Sequence, residues 1–262
     1  MFWWRDEVHG APDSRGRTGG SGLVIDVGFT DRVGGQSSGA LDSLNLGLGV
    51  GDDPEVVGRN RAGVAASIGV APQNLVFSQQ VHGAQVRTVR AATPTTAGEV
   101  PRCDAQVTDV PGLALGVLVA DCTPVIVVDV EAGIVATAHA GRPGMTLGVV
   151  DAMLDRVVEM GSKRQQAFVG PSVCPRCYEV PWQMREDAAQ RDPVARSVSW
   201  TGTPAIDVAA AVVAQLRHRD VEVTWIGGCT RESERLFSHR RDPAAGRCAG
   251  VVAIRAPDHG NV

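Results

Sequence analysis

The segment from residue 112 to residue 144 places the strongest constraint on the fold of this 262-residue chain. It contains three short runs rich in Val, Ile, Leu and Ala, at residues 113–120, 125–130 and 134–138. Each run is short for a helix and is bounded by Asp, Glu, Gly or Pro, which is typical of buried strands. We therefore predict a sheet whose central strands come from this segment.

Two of these strands end in side chains that can bind a metal. Cys122 follows the first run, where Pro124 prevents one continuous central strand, and His139 ends the third run. A third such side chain, His82, lies upstream in the sequence FSQQVHG. We interpret His82, Cys122 and His139 as one site, held at strand ends by a rigid sheet.

The donor types in this predicted site are those that zinc prefers. Two imidazoles and one thiolate leave a fourth position of a tetrahedron open, which is typical of catalytic zinc. The spacings of 40 and 17 positions match no short zinc-finger pattern, so an inert core cysteine with two hydrogen-bonded histidines stays open as the alternative. Asp121 adjoins Cys122 and is a candidate to orient an imidazole or hold a cation.

The remaining elements predict a mixed sheet with helices packed on it, an α/β fold of the α+β type. Residues 1–21 are polar and rich in Gly and are predicted to be a flexible segment. A long Gly- and Ser-rich loop follows the first strand, and its Arg32 is a candidate to bind an anion. Further strands are predicted at residues 23–27, 75–78, 86–89, 105–108, 167–169, 221–226 and 249–254. Helices are predicted at residues 54–69, 146–160, 181–190 and from a cap at Thr203 and Pro204 to His218.

Charge and composition exclude several classes of partner. The net charge is −4 and no basic run is present, which argues against nucleic acid as the main partner. No apolar run approaches the roughly 18 residues of a membrane span, and the acidic start of the chain does not resemble an export signal. Six cysteines in a chain of this length do not suggest a disulfide scaffold, so we expect a cytoplasmic protein with reduced thiols.

Two further motifs carry chemistry. The sequence CPRC at residues 174–177 could be a redox pair or half of a structural zinc site, and because no second CxxC exists we interpret its cysteines as loop thiols. The sequence RLFSHRRD offers Arg240 or Arg241 to a phosphate or carboxylate, although a solvated loop is an equal alternative. A cytidine-type zinc deaminase is excluded, because Gly141 stands where its proton-shuttling Glu is needed.

Taken together, the motifs resemble one family. Seven motifs follow the order seen in the YfiH/laccase-domain family, also called the polyphenol-oxidase-like or peptidoglycan-editing-factor family. They are SLNLGLGVGDDPEVVGRNR, SQQVHG, DAQVTD, VADCTPV, AHAG, GPSVCPRCYEV and LFSHRRD. The resemblance covers roughly residues 22–255. It implies a single α/β sandwich domain, here residues 22–262, with a mixed sheet.

The resemblance also implies a site and an activity. The family's metal ligands match His82, Cys122 and His139, and its members bind zinc there, with copper also claimed. The family includes purine nucleoside phosphorylases, so the implied substrates are phosphate and the nucleosides adenosine, inosine, guanosine and methylthioadenosine. Hydrolytic deamination of adenosine is the second implied activity. The oligomeric state stays open.

The chain departs from the family at one motif. The usual AHAGWRG is AHAGRPG here, so Arg142 replaces the Trp and Pro143 follows it. This change affects the expected substrate preference more than metal binding. As hypotheses, Arg32, Arg142 or Arg240 holds phosphate, and Asp104 or His239 manages a proton.

Three rival functions stay open at the level of sequence. Cys122 and His139 could form the nucleophile and base of a thiol hydrolase acting on peptidoglycan precursors. A multicopper oxidase needs more histidines than the six present, but a single copper at the three-residue site would suit a polyphenol oxidase. A metal-binding protein that acts only by association is the third rival.

Overall fold

The computed structural model describes residues 1–10, 23–92 and 100–255, and these form thirteen strands and five α-helices. The strands are β1 (Phe2–His9), β2 (Val24–Thr30), β3 (Leu75–Val76), β4 (Val86–Thr88), β5 (Ala105–Thr108), β6 (Ala114–Val119), β7 (Thr123–Asp129), β8 (Ile134–Ala140), β9 (Gln166–Val169), β10 (Arg196–Val198), β11 (Pro204–Ile206), β12 (Glu222–Trp225) and β13 (Cys248–Ile254). The helices are α1 (Pro54–Ser67), α2 (Arg142–Leu147), α3 (Val149–Glu159), α4 (Trp182–Arg191) and α5 (Val208–His218). The predicted α/β class with mixed sheets is therefore confirmed.

Two mixed sheets form the centre of the fold. One has five strands in the order β1-β2-β13-β6-β3, and the other has six in the order β12-β9-β7-β8-β5-β4. A separate hairpin pairs β10 with β11. The central strand β7 runs antiparallel to both β8 and β9, whereas β9 pairs in parallel with β12.

The sheets pack face to face and each is covered on its outer side. Side chains alternate along a strand, so Ile126 and Val128 of β7 pack between the sheets while Val125 and Val127 pack against α3 and α5. The outer face of the five-stranded sheet packs against Val64 and other residues of α1. Burial on both faces explains why the segment from residue 112 to residue 144 reads as nearly continuous apolar runs.

Most of the predicted helix ends are close to the observed ones. Asp53 caps α1 by accepting a hydrogen bond from the Glu55 N–H at 2.9 Å, with Pro54 as the first helical residue. The helix predicted at residues 146–160 is two helices, since Gly148 adopts a left-handed φ of 84° and ends α2.

The predicted cap at Thr203 and Pro204 is wrong. Pro204 begins β11, at the first position of a strand, where a missing N–H is tolerated. The following helix begins instead after Asp207, whose carboxylate accepts a hydrogen bond from the Ala210 N–H at 2.9 Å.

The flexible segment predicted at residues 1–21 is wrong for its first part. Residues Phe2–His9 form β1, which pairs along the edge of β2. The indole of Trp4 packs against Phe29 and Phe168, so this strand is held by apolar contacts with both sheets. The remainder of that prediction, residues 11–21, lies outside the described residues.

Among the helices in the described ranges, none combines the length and apolar character that a bilayer crossing requires.

Candidate metal centre and its pocket

His82, Cys122 and His139 converge at one end of the six-stranded sheet. Their candidate ligand atoms all lie within 4.8 Å of one another. The His82 Nε2 atom is 3.7 Å from the Cys122 sulfur, and the two imidazole rings meet edge to face with centroids 4.6 Å apart. The pairing of Pro124 in β7 with His139 in β8 explains the convergence, because it brings the start of one strand beside the end of the next.

A glycine makes this close approach possible. A Cβ atom at Gly141 would lie 2.7 Å from Cδ2 of His82 and 2.9 Å from the Cys122 sulfur. Both distances are shorter than van der Waals contact, so any larger residue would displace the ligands. The glycine of the AHAG sequence therefore sets the space in which the three side chains meet.

Asp104 forms hydrogen bonds with two of the three ligand residues, His82 and His139. Its buried carboxylate accepts hydrogen bonds from the N–H groups of His82 and Gly83, at 2.8 and 2.7 Å, and lies 2.9 Å from Nδ1 of His139. This contact leaves Nε2 of His139 as the free ring nitrogen. Asp104 is 2% exposed, and its contacts are those expected of a residue that orients metal ligands. The hypothesis that it manages a substrate proton stays a prediction.

The electrostatics of the site favour the thiolate form of Cys122. Burial raises the pKa of the Cys122 thiol, but the imidazoles of His139 and His82 outweigh this and lower the pKa to about 6. Burial lowers the pKa of His139, but the Cys122 thiolate and the Asp104 carboxylate outweigh it and raise the pKa to about 9. The thiolate and the imidazolium therefore form an ion pair near neutral pH, and a divalent cation can take the place of the proton between them.

The three residues line a pocket of about 910 Å³. This volume lies within the range of small-molecule and cofactor sites. Its walls include four arginines, and the aromatic rings of Phe77 and Tyr178 add apolar surface. The four arginines are Arg61, Arg142, Arg240 and Arg247. His239 also lines the pocket. The hypotheses that place Arg142, Arg240 and His239 near a substrate are therefore compatible with the structure.

Arg240 is positioned by several contacts. Its backbone N–H donates to Asp121 at 2.7 Å, its guanidinium lies 4.9 Å from the centroid of the Tyr178 ring, and Nη1 donates to the Glu179 carbonyl at 3.2 Å. The other carboxylate oxygen of Asp121 accepts a hydrogen bond from the Thr230 hydroxyl at 2.6 Å. Asp121 therefore holds the loop that carries Arg240, rather than orienting an imidazole.

Arg32 and Arg241 do not line the pocket. The Arg32 guanidinium lies 4.7 Å from the ring centroid of Phe237 and donates to the Asp42 carbonyl at 2.5 Å. The guanidinium of Arg241 is used by carbonyls of its own loop, including that of Thr230 at 2.8 Å. The structure therefore does not bring Arg32 together with the other predicted phosphate-binding arginines, Arg142 and Arg240.

Arg61, Arg247 and Tyr178 are among the pocket-lining residues that sequence reasoning missed. Arg61 donates to the Leu46 carbonyl through Nε and Nη2, and burial lowers its pKa to about 10. Arg247 and Tyr178 come from segments far apart in the chain. A signal was available for Arg61 and Tyr178, because both lie in sequences that carry the family resemblance. No such signal marks Arg247, which precedes β13.

Comparisons with known proteins agree with this fold and identify the family. Residues 26–255 match the family model described as multi-copper polyphenol oxidoreductase laccase. The chain is 50% identical over 255 residues to a purine nucleoside phosphorylase of Streptomyces coelicolor, covering 96% of this chain and 99% of that protein. It is 40% identical over 242 residues to a purine nucleoside phosphorylase of Mycobacterium tuberculosis H37Rv, covering 91% and 96%.

Two solved structures share the architecture. YlmD from Geobacillus stearothermophilus matches with a TM-score of 0.81 at 29% identity, covering 90% of this chain and 97% of that one. The Neisseria meningitidis protein NMB0706 matches with a TM-score of 0.77 at 32% identity, covering 88% and 95%.

Proposed function

The chain belongs to the family described as multi-copper polyphenol oxidoreductase laccase, and we propose that it is a purine nucleoside phosphorylase with a metal bound by His82, Cys122 and His139. The observation that carries this proposal is the position of the three donors in a pocket whose walls hold four arginines. The names of the curated relatives, at up to 50% identity over nearly the whole chain, support the same activity.

The donor set fits zinc. Two imidazole nitrogens and one thiolate sulfur, with ligand atoms within 4.8 Å of one another, are the number and type expected for a site with an open position. Copper would also be accepted by these donors. When bound, such a metal polarises an oxygen ligand and lowers the pKa of bound water towards neutrality.

The arginines supply the anion-binding part of the reaction. Phosphorolysis forms a bond between a phosphate oxygen and C1′ of the ribose, and the C1′–N9 bond breaks with its electron pair leaving on the purine. Arg142 and Arg240 line the pocket and are the candidates to bind the phosphate, since a guanidinium can contact two of its oxygens. His239, which lines the same pocket, is the candidate to give the leaving purine a proton.

Deamination of adenosine is proposed as a second activity of the same pocket. In that reaction water adds at C6 of the purine and ammonia leaves, so phosphate is not needed. The two activities are separated by their products, since phosphorolysis of adenosine gives adenine and deamination gives inosine.

One observation favours a second candidate function. The Cys122 sulfur and a ring nitrogen of His139 lie within 4.8 Å of each other. His139 lowers the pKa of Cys122 and Cys122 raises the pKa of His139, which favours the thiolate and imidazolium pair of thiol hydrolases in the metal-free protein. Peptidoglycan precursors would be the substrates to try. Such an enzyme would turn over without metal, and its thiol would react with iodoacetamide.

The deciding experiment measures metal and products on the same preparation. Purified protein is analysed for metal by mass spectrometry and incubated with adenosine, with and without phosphate. We expect zinc at the three-residue site, adenine that depends on phosphate, and loss of both site metal and adenine release in His82→Ala. His218→Ala, at the end of α5 and outside the pocket, should behave as wild type. A His82→Ala variant that has lost the metal of the three-residue site but still releases adenine would contradict the proposal.

A further inference from the structure

A second group of metal-binding side chains lies outside the proposed active site. We call this group the cysteine cluster; it consists of Cys174, Cys177, Cys229 and Glu232. Their ligand atoms all lie within 4.8 Å of one another. The sequence interpretation treated Cys174 and Cys177 as loop thiols, because the chain has no second CxxC motif. We propose that the cysteine cluster is a second zinc site, with three thiolates and one carboxylate, that holds the pocket wall in place.

The distances suit a tetrahedral ion. With metal–sulfur distances of about 2.3 Å and metal–oxygen distances of about 2.0 Å, neighbouring ligand atoms lie about 3.5–3.8 Å apart. The Cys177 and Cys174 sulfur atoms lie 3.2 and 3.8 Å from the same carboxylate oxygen of Glu232. Small shifts would bring all four ligands to the ideal separation.

The local backbone prepares the cysteines for this role. Pro175–Cys177 form a single 3₁₀ turn, in which the Cys177 N–H donates to the Cys174 carbonyl at 3.0 Å. This turn directs both CPRC sulfurs to one side. The Cys174 N–H donates to the Cys229 sulfur at 3.4 Å, which holds this sulfur beside the CPRC turn. An isolated bridge between Ser172 and Cys229 aligns the two segments.

The fourth side chain is also held in position. Nε1 of Trp200 donates to Glu232 at 3.3 Å, and the guanidinium of Arg176 lies 4.1 Å from the Trp200 ring centroid. Glu232 is exposed while Cys177 is buried, so an ion could enter from solvent on the carboxylate side. Sulfur donors with one carboxylate are a zinc-type set. A disulfide would use only two of the three sulfurs.

The cysteine cluster lies next to residues that line the active-site pocket. Val173 and Tyr178 flank the CPRC turn and both line the active-site pocket. Arg240 packs on the Tyr178 ring, and its loop begins near Cys229 and Glu232. An ion here would join the segment before α4 to the loop between β12 and β13, and so would fix the wall that carries Arg240. It acts as a positioning site and touches no substrate.

The test uses the full chain and metal stoichiometry. In zinc-loaded protein after removal of free metal, we expect about two zinc ions per chain in wild type, about one in His82→Ala, and none in His82→Ala combined with Cys229→Ser. Glu232→Gln should release the second ion to a chelator at least tenfold faster than wild type, whereas Glu234→Gln, in the same loop but outside the cluster, should not. With Co²⁺, the ion retained by His82→Ala should show a thiolate charge-transfer band roughly three times stronger than that of a one-thiolate site, because it has three sulfurs.

The outcomes separate this proposal from the proposed function. Zinc at one equivalent in wild type and none in His82→Ala would overturn the second site and leave the first intact. A Cys174–Cys177 disulfide that persists in protein purified under reducing conditions would also overturn it. If Cys229→Ser fails to fold, Glu232→Gln still decides, because a surface carboxamide keeps the shape of the side chain and an unchanged rate of zinc release would contradict the proposal.

Discussion

At the scale of single residues, Gly141 and Asp104 control the candidate metal centre without being ligands. Gly141 leaves space for two ligands, and Asp104 contacts Nδ1 of His139 and accepts the backbone N–H of His82. Gly141 has an extended backbone with φ −73° and ψ 167°, which alanine also adopts. A substitution there therefore acts through contact with His82 and Cys122 rather than through backbone strain.

Gly141→Ala should weaken metal binding at this centre. The new methyl group must push His82 or Cys122 by several tenths of an ångström, and metal sites tolerate only about 0.5 Å of misplacement. We expect a loss of at least about tenfold in zinc affinity, measured by chelator competition with His82→Ala as the reference for complete loss. Overpacking should lower the free energy of unfolding of the metal-free protein by about 1–3 kcal/mol.

Gly49→Ala is the matched control for this substitution. Gly49 also lines the pocket, but a Cβ there has no atom within 4 Å, and its φ of −87° suits alanine. Its zinc affinity should equal that of wild type. Equal zinc affinities of Gly141→Ala and Gly49→Ala would show that the close contact at Gly141 does not govern the site.

The ligands were easier to predict than the residues around them. His82, Cys122 and His139 could be grouped because strand ends and donor types are visible in the sequence. The role of Asp104 could not, since it depends on backbone N–H groups that one loop directs at one carboxylate. The position of Arg32 could not be predicted, because an arginine in a loop gives no sign of whether it faces a pocket or an aromatic ring such as Phe237.

At the scale of elements, the strands were predicted well where burial on both faces produces unbroken apolar runs. The edge strand β1 was missed because FWWRDEVH mixes aromatic and charged residues beside a long polar segment. The hairpin strand β11 was mistaken for a helix cap, since Thr203 and Pro204 carry a capping signal that strand pairing overrides. Elements of this kind depend on partners distant in sequence, which periodicity does not reveal.

Trp4→Ala should show whether β1 is an integral part of the fold. The indole packs against Phe29 and Phe168, with ring centroids 6.0 and 5.4 Å apart, and therefore contacts both sheets. We expect a loss of about 3 kcal/mol in the free energy of unfolding, at the low end for aromatic truncations because Trp4 is half-buried. Trp182→Ala, at a side chain 59% exposed, should change it by less than about 0.5 kcal/mol in urea denaturation. Equal effects of the two substitutions would contradict a structural role for β1.

Asp129 joins two turns at the far end of β7. Its carboxylate accepts hydrogen bonds from the Ala132 N–H at 2.9 Å, the Ser162 hydroxyl at 2.7 Å and the Lys163 N–H at 2.8 Å, with further N–H donors nearby. Burial raises the pKa of Asp129, but these donors outweigh it and leave the pKa below its usual value. The ionised form therefore stabilises the folded state.

Asp129→Asn should destabilise the protein in a pH-dependent manner. The amide presents a donor where the protein also presents donors, so we expect a loss of about 3 kcal/mol at pH 7. Because the folded pKa is lowered, the contribution of Asp129 is present above the unfolded pKa of about 3.9 and is lost as pH falls through the folded pKa. The difference from wild type in urea denaturation should thus shrink from about pH 5 downwards. Asp187→Asn, at an exposed position, is the control, and a difference independent of pH would contradict the assignment.

At the scale of the whole molecule, the pocket draws on elements from both sheets and both outer layers. Arg61 comes from α1, Arg142 from α2, and Arg247 from the segment before β13, whereas the ligands belong to the six-stranded sheet and its loops. The pocket is therefore complete only when the layers are assembled. A metal that ties His82 to β7 and β8 should in turn stabilise the assembled state, because it binds the folded form alone.

Metal removal should lower the melting temperature through the three-residue centre. At a free zinc concentration 1,000 times the dissociation constant, binding contributes about 4 kcal/mol, which for a chain of this size corresponds to roughly 8–16 °C. We expect a chelator to lower the melting temperature of wild type more than it lowers the melting temperature of His82→Ala. The difference between the two decreases is the stabilisation that metal at the three-residue centre provides. His218→Ala controls for loss of an imidazole and should respond as wild type. If His82→Ala and wild type respond equally, the metal at this centre does not stabilise the fold, because any contribution from the cysteine cluster is present in both.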